Sequence, residues 1–253
     1  MRRDAKARRI SLAAFVSGFA LIAGCAMQAS TDLTSRSERP QAAAPVAAPA
    51  PAVAVGSVAA PQESNAIAGI LAERRRGDYP EIELQDSGFT ITEQVRVGNE
   101  ARSDYQGALA LLRQERYDEG IPLLLEVTKN TPDATAPYVD LGIAYLRSGD
   151  LERAEEALKT AELLSPGHPI VHNELGILYR KTGHFAEARA SYEKALAVFS
   201  GFHYARRNLA VLCDLYLADL DCALQNYVAY LDAVGSDPEV EIWISDLENR
   251  LAN

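Results

Sequence analysis

The feature that most constrains the fold is a pattern of small and large residues that recurs after 34 positions. A fixed period of this length is typical of a stack of similar units, each of which buries its apolar face against its neighbours. The first copy consists of Tyr138, Leu141, Gly142, Tyr145, Ala154, Leu158, Ala161 and Pro166, and the second consists of His172, Leu175, Gly176, Tyr179, Ala188, Tyr192, Ala195 and Ser200.

These two copies resemble the tetratricopeptide repeat, whose unit is a hairpin of two α-helices. The glycines at 142 and 176 and the alanines at 154 and 188 are small, as the close crossing of two helices requires. Ser148-Gly149-Asp150 and Thr182-Gly183-His184 offer a glycine that can end the first helix of each hairpin. The resemblance therefore implies an all-α superhelix.

Weaker copies of the pattern flank this pair. A second-helix match lies upstream, and a first-helix match lies downstream, where the next second helix fits only after a slip of one residue. We predict about four repeats between Ala101 and Val234, followed by a C-terminal capping helix that starts at Asp237-Pro238. These segments together form the predicted repeat domain, residues 101–253. The matching residues are Tyr117, Gly120, Leu124, Val127 and Pro132 upstream, Arg206, Leu209, Cys213, Ala223 and Tyr227 downstream, and Val240, Trp243, Ile244, Leu247 and Leu251 in the capping helix.

Residues 65–100 form a flanking segment that carries no recognisable motif. Ala66 to Arg75 could form one short helix, whereas Glu81 to Leu84 and Phe89 to Val97 alternate apolar with polar residues, which favours extended chain. We expect this segment to pack on the first repeat.

The N-terminus has the composition of a secretory signal. Basic residues within positions 1–9 precede an apolar run from Ile10 to Ala23, which is too short for a comfortable membrane span. The sequence Ile22-Ala23-Gly24-Cys25 resembles the lipobox of bacterial lipoproteins, which implies cleavage after residue 24 and attachment of palmitate and other acyl chains to Cys25. An uncleaved anchor and an ordinary cleaved signal are the alternatives.

The mature chain would begin at the acylated cysteine. Ala26, rather than Asp, at the next position resembles lipoproteins sorted to the outer membrane of Gram-negative bacteria, which implies a periplasm-facing, lipid-anchored protein. Residues 25–64 are rich in Ala and Pro and predict a disordered, semi-stiff tether that reaches on the order of 100 Å.

Charge and side-chain patterns argue against several classes of function. The formal net charge of −10 disfavours nucleic acid and anionic lipid as main partners. No nucleophile–histidine–acid set, nucleotide loop or zinc spacing is present. His168 and His172 are four residues apart, but Pro169 places them on different faces, so we predict no metal site. We therefore predict a non-enzymatic protein with no cofactor and no small-molecule substrate.

Cys213 and Cys222 form an even pair in a chain that is predicted to be exported. They fall on facing helices of the fourth hairpin, near its turn, where a disulfide is feasible. Two buried free thiols are the alternative, and a redox-active pair would more typically be closer in sequence.

The resemblance also implies a concave groove lined by the first helix of each repeat, in which a protein segment could bind. This groove combines apolar residues with basic ones, although the Lys and Asn set that clamps a C-terminal carboxylate in some members of the family is absent. The predicted groove residues are Tyr105, Leu109, Arg113, Val139, Ile143, Arg147, Asn173, Ile177, Arg180, Lys181, Arg207, Val211 and Leu215.

A scaffold that helps to assemble or operate an envelope protein complex is the function that these features favour. Related arrangements occur in lipoprotein pilotins of type IV pilus secretins and in repeat proteins that accompany TonB-type energy-transducing systems. A regulatory subunit of an envelope enzyme is the alternative from a different class, and it would require a site within residues 65–100.

Overall fold

The computed structural model describes residues 12–15, 69–70, 72, 80–85 and 88–252. Cys25, the tether and most of the predicted signal peptide lie outside these residues.

The C-terminal part of the chain is a series of helical hairpins, as the 34-residue period predicts. Among the described residues, no helix is long and apolar enough to cross a membrane. The four hairpins are α1 with α2, α3 with α4, α5 with α6 and α7 with α8, and α9 follows them. The bounds are α1 Asn99–Leu112, α2 Tyr117–Asn130, α3 Thr135–Ser148, α4 Leu151–Leu164, α5 Pro169–Lys181, α6 Phe185–Val198, α7 His203–Leu212, α8 Leu220–Val234 and α9 Pro238–Leu251.

The turn inside each hairpin uses one residue in the left-handed backbone conformation. Gly149 and Gly183 occupy this position in the second and third hairpins, with φ of 89° and 80°. Glu115 and Ala218 occupy it in the first and fourth hairpins, with φ of 59° and 52°. The same turn geometry is therefore made by glycine in two hairpins and by side chains that disfavour it in the other two.

Glycine also permits the close crossing of the two helices in the middle hairpins. A Cβ atom added to Gly142 would overlap the side chain of Leu158, and one added to Gly176 would overlap the ring of Tyr192. Both large side chains are fully buried. The absence of a side chain at these glycines therefore makes room for the core residue of the facing helix.

Two apolar clusters run through the stack, and Tyr179 packs against both of them. One cluster joins the first three hairpins, and the other joins the third and fourth hairpins with α9. Val240, Trp243 and Leu247 of α9 are buried, and the ring of Trp243 lies 5.5 Å from that of Tyr227. The predicted capping helix is therefore present, although Leu251 at its end is 41% exposed rather than packed.

The one-residue slip in the fourth repeat corresponds to a π-helical turn. Cys213–Leu217 continues α7 with wider winding, and the backbone N–H of Asp219 donates to the carbonyl of Cys213 at 2.9 Å. A π-helical turn accommodates one residue more than an α-helical turn of the same rise. The extra residue is thus absorbed before α8 begins.

A small antiparallel sheet precedes the helices, with strand order β1-β3-β2. Strands β2 (Glu81–Gln85) and β3 (Gly88–Glu93) form the extended chain that the alternating pattern predicts. The outer strand β1 (Leu12–Phe15) lies within the predicted signal peptide, and its backbone pairs with Thr90 to Glu93.

The sheet packs on later repeats, and this differs from the expected position on the first repeat. Phe89 is buried against Phe199 and Phe202, with ring centroids 5.5 and 5.4 Å apart. Glu93 accepts hydrogen bonds from the backbone N–H of Thr135, at 3.0 and 2.8 Å, and from its hydroxyl at 2.7 Å. The chain can reach these sites because β3 runs across the loops between repeats before it turns into α1.

Candidate functional site

The candidate site is the inner face formed by the first helix of each hairpin. The first helices α1, α3, α5 and α7 contact one another in sequence along this face. One predicted groove residue of each is apolar and only partly buried, and the 34-residue spacing places these four residues at the same position of successive first helices, here called the stripe. These residues are Leu109, Ile143, Ile177 and Val211.

Two predicted groove residues belong instead to the interior, and this corrects the prediction. Val139 is 5% exposed and lies in the first apolar cluster. Asn173 is 4% exposed, and its amide connects Glu174 and Asn208 by hydrogen bonds of 3.0 and 2.9 Å. Neighbouring first helices pack closely enough at this position to bury the side chains, which the sequence period does not reveal.

Tyr105 occupies the position of the first repeat that corresponds to Val139 and Asn173. It is partly buried, and its hydroxyl forms a hydrogen bond inside the domain. Its hydroxyl donates to Oδ2 of Asp140 at 2.6 Å. Burial raises the pKa of Asp140 to about 6, while the Tyr105 hydrogen bond and the positive charge of Arg113 act in the opposite direction. The first and second hairpins are therefore linked by a partly buried polar contact.

The predicted basic residues differ in what they can offer a ligand. Arg113, Arg147 and Lys181 are exposed. Arg207 contacts the capping helix. Its guanidinium lies 5.2 Å from the ring centre of Trp243 and donates a hydrogen bond of 3.2 Å to Oε2 of Glu239. Arg180 lies over the ring of Tyr216 at 5.8 Å and is partly buried.

Three polar residues of the groove were missed by sequence reasoning. Asp140, Glu174 and Asn208 are spaced by the 34-residue period, one position after Val139, Asn173 and Arg207. Burial raises the pKa of Glu174, while its hydrogen bond with Asn173 and the charge of Arg147 oppose that shift. The 34-residue period is the sequence signal that locates these three polar residues, because they occupy the same position of successive first helices.

Comparisons with known proteins agree with this architecture. The tetratricopeptide-repeat family matches residues 105–169 and 169–202 through two of its sequence profiles. A thermophilic TPR protein of Thermus thermophilus, TTC0263, superposes with a TM-score of 0.52 at 25% identity, covering 59% of this chain and 81% of that one. This chain contains a tetratricopeptide-repeat domain.

Relatives of this tetratricopeptide-repeat domain occur in proteins of diverse kinds. The photosystem I assembly protein Ycf3 of Synechococcus sp. (strain CC9605) is 30% identical over 100 residues, which are 40% of this chain and 54% of that protein. Anaphase-promoting complex subunit 6 of Arabidopsis thaliana is 27% identical over 97 residues, 38% of this chain and 18% of that protein. The chain matches between 11% and 54% of the length of its curated relatives.

A further solved structure, that of pilF from Pseudomonas aeruginosa, shares the fold of the domain. It superposes with a TM-score of 0.56 at 15% identity and covers 60% of this chain and 69% of that one. Tetratricopeptide-repeat proteins mediate protein–protein interactions, and the concave face described above is the surface that this architecture provides for them.

The tetratricopeptide-repeat domain contains a disulfide in its fourth hairpin. Cys213 begins the π-helical turn and Cys222 lies in the first turn of α8, with Cα atoms 5.9 Å apart and the two sulfur atoms bonded. Within the described residues, the only group of three or more potential metal ligands is this pair with Asp219, and its sulfurs are bonded to each other. Leu215 lies inside the π-helical turn, so its direction departs from the regular repeat.

The two histidines of the domain that are four residues apart are buried and bind backbone groups. His168 precedes α5, and its Nδ1 accepts from the backbone N–H of Val171 at 3.4 Å. His172 Nε2 lies 2.8 Å from the carbonyl oxygen of Pro166. Burial lowers the pKa of His168 to about 3 and also lowers that of His172. Both rings therefore contact backbone groups in the loop between the second and third repeats or at the start of α5, and they stabilise this connection.

Proposed function

We propose that this protein is an outer-membrane lipoprotein whose tetratricopeptide-repeat domain binds a segment of a protein partner in the periplasm. In this role it serves as a non-catalytic scaffold in the assembly or operation of an envelope complex. The basic N-terminus, the short apolar run and the lipobox-like Ile22-Ala23-Gly24-Cys25 support the anchor. The composition of residues 25–64 supports a spacer between the anchor and the domain.

The stripe formed by Leu109, Ile143, Ile177 and Val211 is the observation that carries the binding proposal. A row of partly exposed aliphatic side chains on a concave face offers a partner segment apolar contacts that exclude water. Contacts of this kind at the centre of an interface provide most of the affinity, whereas exposed charges mainly tune association rates and salt dependence.

The anchor is tested by metabolic labelling with a palmitate analogue in a Gram-negative host. Label should enter the wild-type protein and be absent from the Cys25→Ser variant. Equal labelling of both proteins would reject Cys25 as the site of acylation. The Cys213→Ser variant is the matched control, because it removes a cysteine that lies in the folded domain, and it should retain the label.

The groove is tested by chemical cross-linking in isolated envelopes, followed by identification of the captured partners. Ile143→Asp with Ile177→Asp should abolish capture, because two carboxylates would be placed in the apolar stripe. Leu163→Asp is the control, since Leu163 is 54% exposed on α4, a second helix outside the stripe. If the double variant keeps a wild-type circular dichroism spectrum and retains every partner, the stripe is not the binding surface.

A further inference from the structure

The edge of the sheet along β3 is where the chain binds its own N-terminal strand. Strand β1 pairs with β3 in an antiparallel register that places Ala14 opposite Ile91 and Leu12 opposite Glu93. Cleavage after Gly24, which is part of the function proposed above, removes β1 from the mature chain. A strand edge that loses its neighbour presents backbone N–H and C=O groups that pair readily with another extended segment. Under that proposal, the mature protein has a strand-binding site along β3.

Strand β3, rather than β2, holds the sheet on the repeat domain. Phe89 and Ile91 are each 6% exposed and belong to one apolar cluster with Phe202. The Glu93 carboxylate accepts hydrogen bonds from Thr135 at the start of α3. These contacts do not involve β1, so β3 should keep its position when β1 is removed.

Alternate residues of β3 direct their backbone groups to opposite edges of the strand. Only two residues separate Gln85 from Gly88, so this pair is hydrogen-bonded, and hydrogen-bonded pairs with β2 recur at every second position from there. The backbone groups of Thr90 and Thr92 therefore point to β2, whereas those of Ile91 point to β1. Removal of β1 thus affects the pairing of Ile91 and leaves Thr90 and Thr92 paired with β2.

Residues 52–55 of this chain combine the features of a replacement strand. Their sequence, Ala-Val-Ala-Val, lies in a proline-free stretch between Pro51 and Pro61. Residues 52–60 contain three of the four valines between residues 25 and 64. β-Branched residues favour strands, and proline disfavours them because it lacks the N–H group. Within the predicted tether, this segment therefore has the strongest preference for extended, paired backbone.

The register of β1 suits these residues. In that register Ala54 would lie opposite Ile91, whose side chain packs on the repeats, and Val53 would lie opposite Thr92, whose side chain is half-buried on the other face of the sheet. A small alanine fits beside the buried Ile91. Valine next to threonine places two β-branched residues side by side, which favours a sheet.

The chain between this segment and the sheet is long enough for the exchange. Residues 56–80 separate Val55 from Glu81, the first residue of β2. A flexible chain of this length spans roughly 25 to 30 Å, whereas positions two strands apart in a sheet are separated by about 10 Å. Covalent attachment also gives the segment an effective concentration on the order of millimolar. A strand from another molecule would have to compete with it.

We propose, building on the lipoprotein processing proposed above, that residues 52–55 replace β1 on β3 once residues 1–24 are removed. The exchange makes part of the tether a strand of the folded domain and fixes the point at which the tether leaves the surface. The free spacer then consists of residues 25–51, with a reach on the order of 80 Å. The added strand thus limits how far the groove can extend from the membrane.

The test compares the full chain before and after removal of residues 1–24. A site for a sequence-specific protease is inserted after Gly24, and Cys25→Ser prevents acylation. Hydrogen exchange of individual backbone amides is then measured by NMR. After cleavage, the Ile91 amide should keep the slow exchange that it has before cleavage, and Thr90, which is paired with β2, is the internal reference. Fast exchange at Ile91 after cleavage would show an open edge and overturn the proposal.

A proline within the segment provides the decisive variant. Ala54→Pro removes the N–H group that would bond to β3, so it should speed exchange at Ile91 by about tenfold or more in the cleaved chain. Before cleavage, the same variant should have no effect, because β1 occupies the edge. Ala47→Pro is the matched control, since it adds a proline to the same tether outside the segment. Unchanged exchange at Ile91 in cleaved Ala54→Pro would refute pairing with residues 52–55.

A peptide with the sequence of β1 measures the same competition. A labelled peptide of residues 10–16 is added to the cleaved chain after the released fragment has been removed. It should bind Ala54→Pro about tenfold more tightly than wild type or Ala47→Pro, because the tethered segment no longer competes. Equal affinity for all three proteins would be incompatible with the proposal.

Two other occupants of the edge would give different results. A second copy of the chain would make the protection of Ile91 depend on protein concentration and would produce dimers in analytical ultracentrifugation. A strand of another protein would leave Ile91 exchanging fast in the purified, cleaved chain. Either result would reject residues 52–55 as the occupant.

Failure of the lipoprotein processing is detected separately, by the intact mass of the protein isolated from native envelopes without the inserted site. Retention of residues 1–24 would refute the processing and, with it, the strand exchange in the cell. Removal of these residues, combined with an Ile91 amide that does not respond to Ala54→Pro, would refute only the strand exchange.

Discussion

The two middle hairpins and the two outer hairpins of the repeat domain have different residues at the helix crossing and at the left-handed turn. Where the helices cross, the middle hairpins have Gly142 and Gly176, whereas the outer hairpins have alanines at 108 and 210. At the left-handed turn, the middle hairpins have glycine, whereas the outer ones have Glu115 and Ala218. The first hairpin instead has its glycine on the second helix, at Gly120, where an added Cβ would overlap the side chain of Leu112.

The fourth hairpin departs furthest from the regular unit and has an additional constraint. It contains the π-helical turn, a non-glycine residue in the left-handed conformation, and the disulfide between Cys213 and Cys222. The disulfide joins the two helices across the irregular turn. Regular hairpins are thus held by close packing around glycine, and the irregular one is held in addition by a covalent bond.

The largest effect is expected from removing that covalent bond. Cys213→Ala with Cys222→Ala should lower the free energy of unfolding by about 2 to 3 kcal/mol, because closing a loop of this length restricts the unfolded chain. Urea denaturation of the mature chain measures the change. Addition of a reductant should destabilise wild-type protein but leave the double variant unchanged. A loss confined to the variant, with no response of wild type to complete reduction, would show that lost packing rather than the bond is responsible.

Adding one methyl group at a helix crossing should have the next largest effect. Gly176→Ala should lower the free energy of unfolding by about 1 to 3 kcal/mol, because the methyl group overlaps the buried Tyr192 ring. Gly107→Ala is the matched control in α1, where the added atom would lie 3.6 Å from Leu123, an ordinary contact. It should be neutral or mildly stabilising, since alanine favours helix more than glycine does. Equal effects at the two positions would show that overlap with the Tyr192 ring is not what excludes a side chain at Gly176.

The smallest effects are expected at the left-handed turns, where middle and outer hairpins should respond with opposite sign. Gly149→Ala should destabilise the protein by about 1 kcal/mol, because a side chain disfavours positive φ. Ala218→Gly should stabilise it by about 0.5 kcal/mol, as relief of that strain exceeds the added flexibility of the unfolded chain. Thermal denaturation of both variants and wild type provides the comparison. Shifts of the same sign would show that the turns are not equivalent.

Much of the architecture could be predicted because each repeat is specified by its own residues. The positions of glycine, alanine and large apolar residues gave the helix pairs, the number of hairpins and the capping helix. The alternation in residues 81–97 also predicted the extended chain of β2 and β3. The prediction that this segment packs on the first repeat was wrong. Contacts such as that between Phe89 and Phe202 join residues more than 100 positions apart in the chain, and no local sequence pattern encodes them.

The groove could be predicted less completely than the helices. The period predicts which first-helix positions face inwards, and among these Ile143 and Ile177 are only partly buried. The period did not reveal that neighbouring helices bury Val139 and Asn173, whereas other predicted groove residues of the same helices are exposed. Burial depends on the distance between adjacent helices, and that distance is set by side chains of two repeats together.

The sequence by itself determined the helical hairpins, their order and the place of the one-residue slip, since these follow from local spacing of small and apolar residues. The tertiary structure decided how the slip is absorbed, by the π-helical turn, and which groove charges are already paired. Arg207 illustrates the reason: its partners Glu239 and Trp243 come from α9, more than 30 residues away. Whether a charge is available to a partner depends on such distant neighbours, and only folding brings them together.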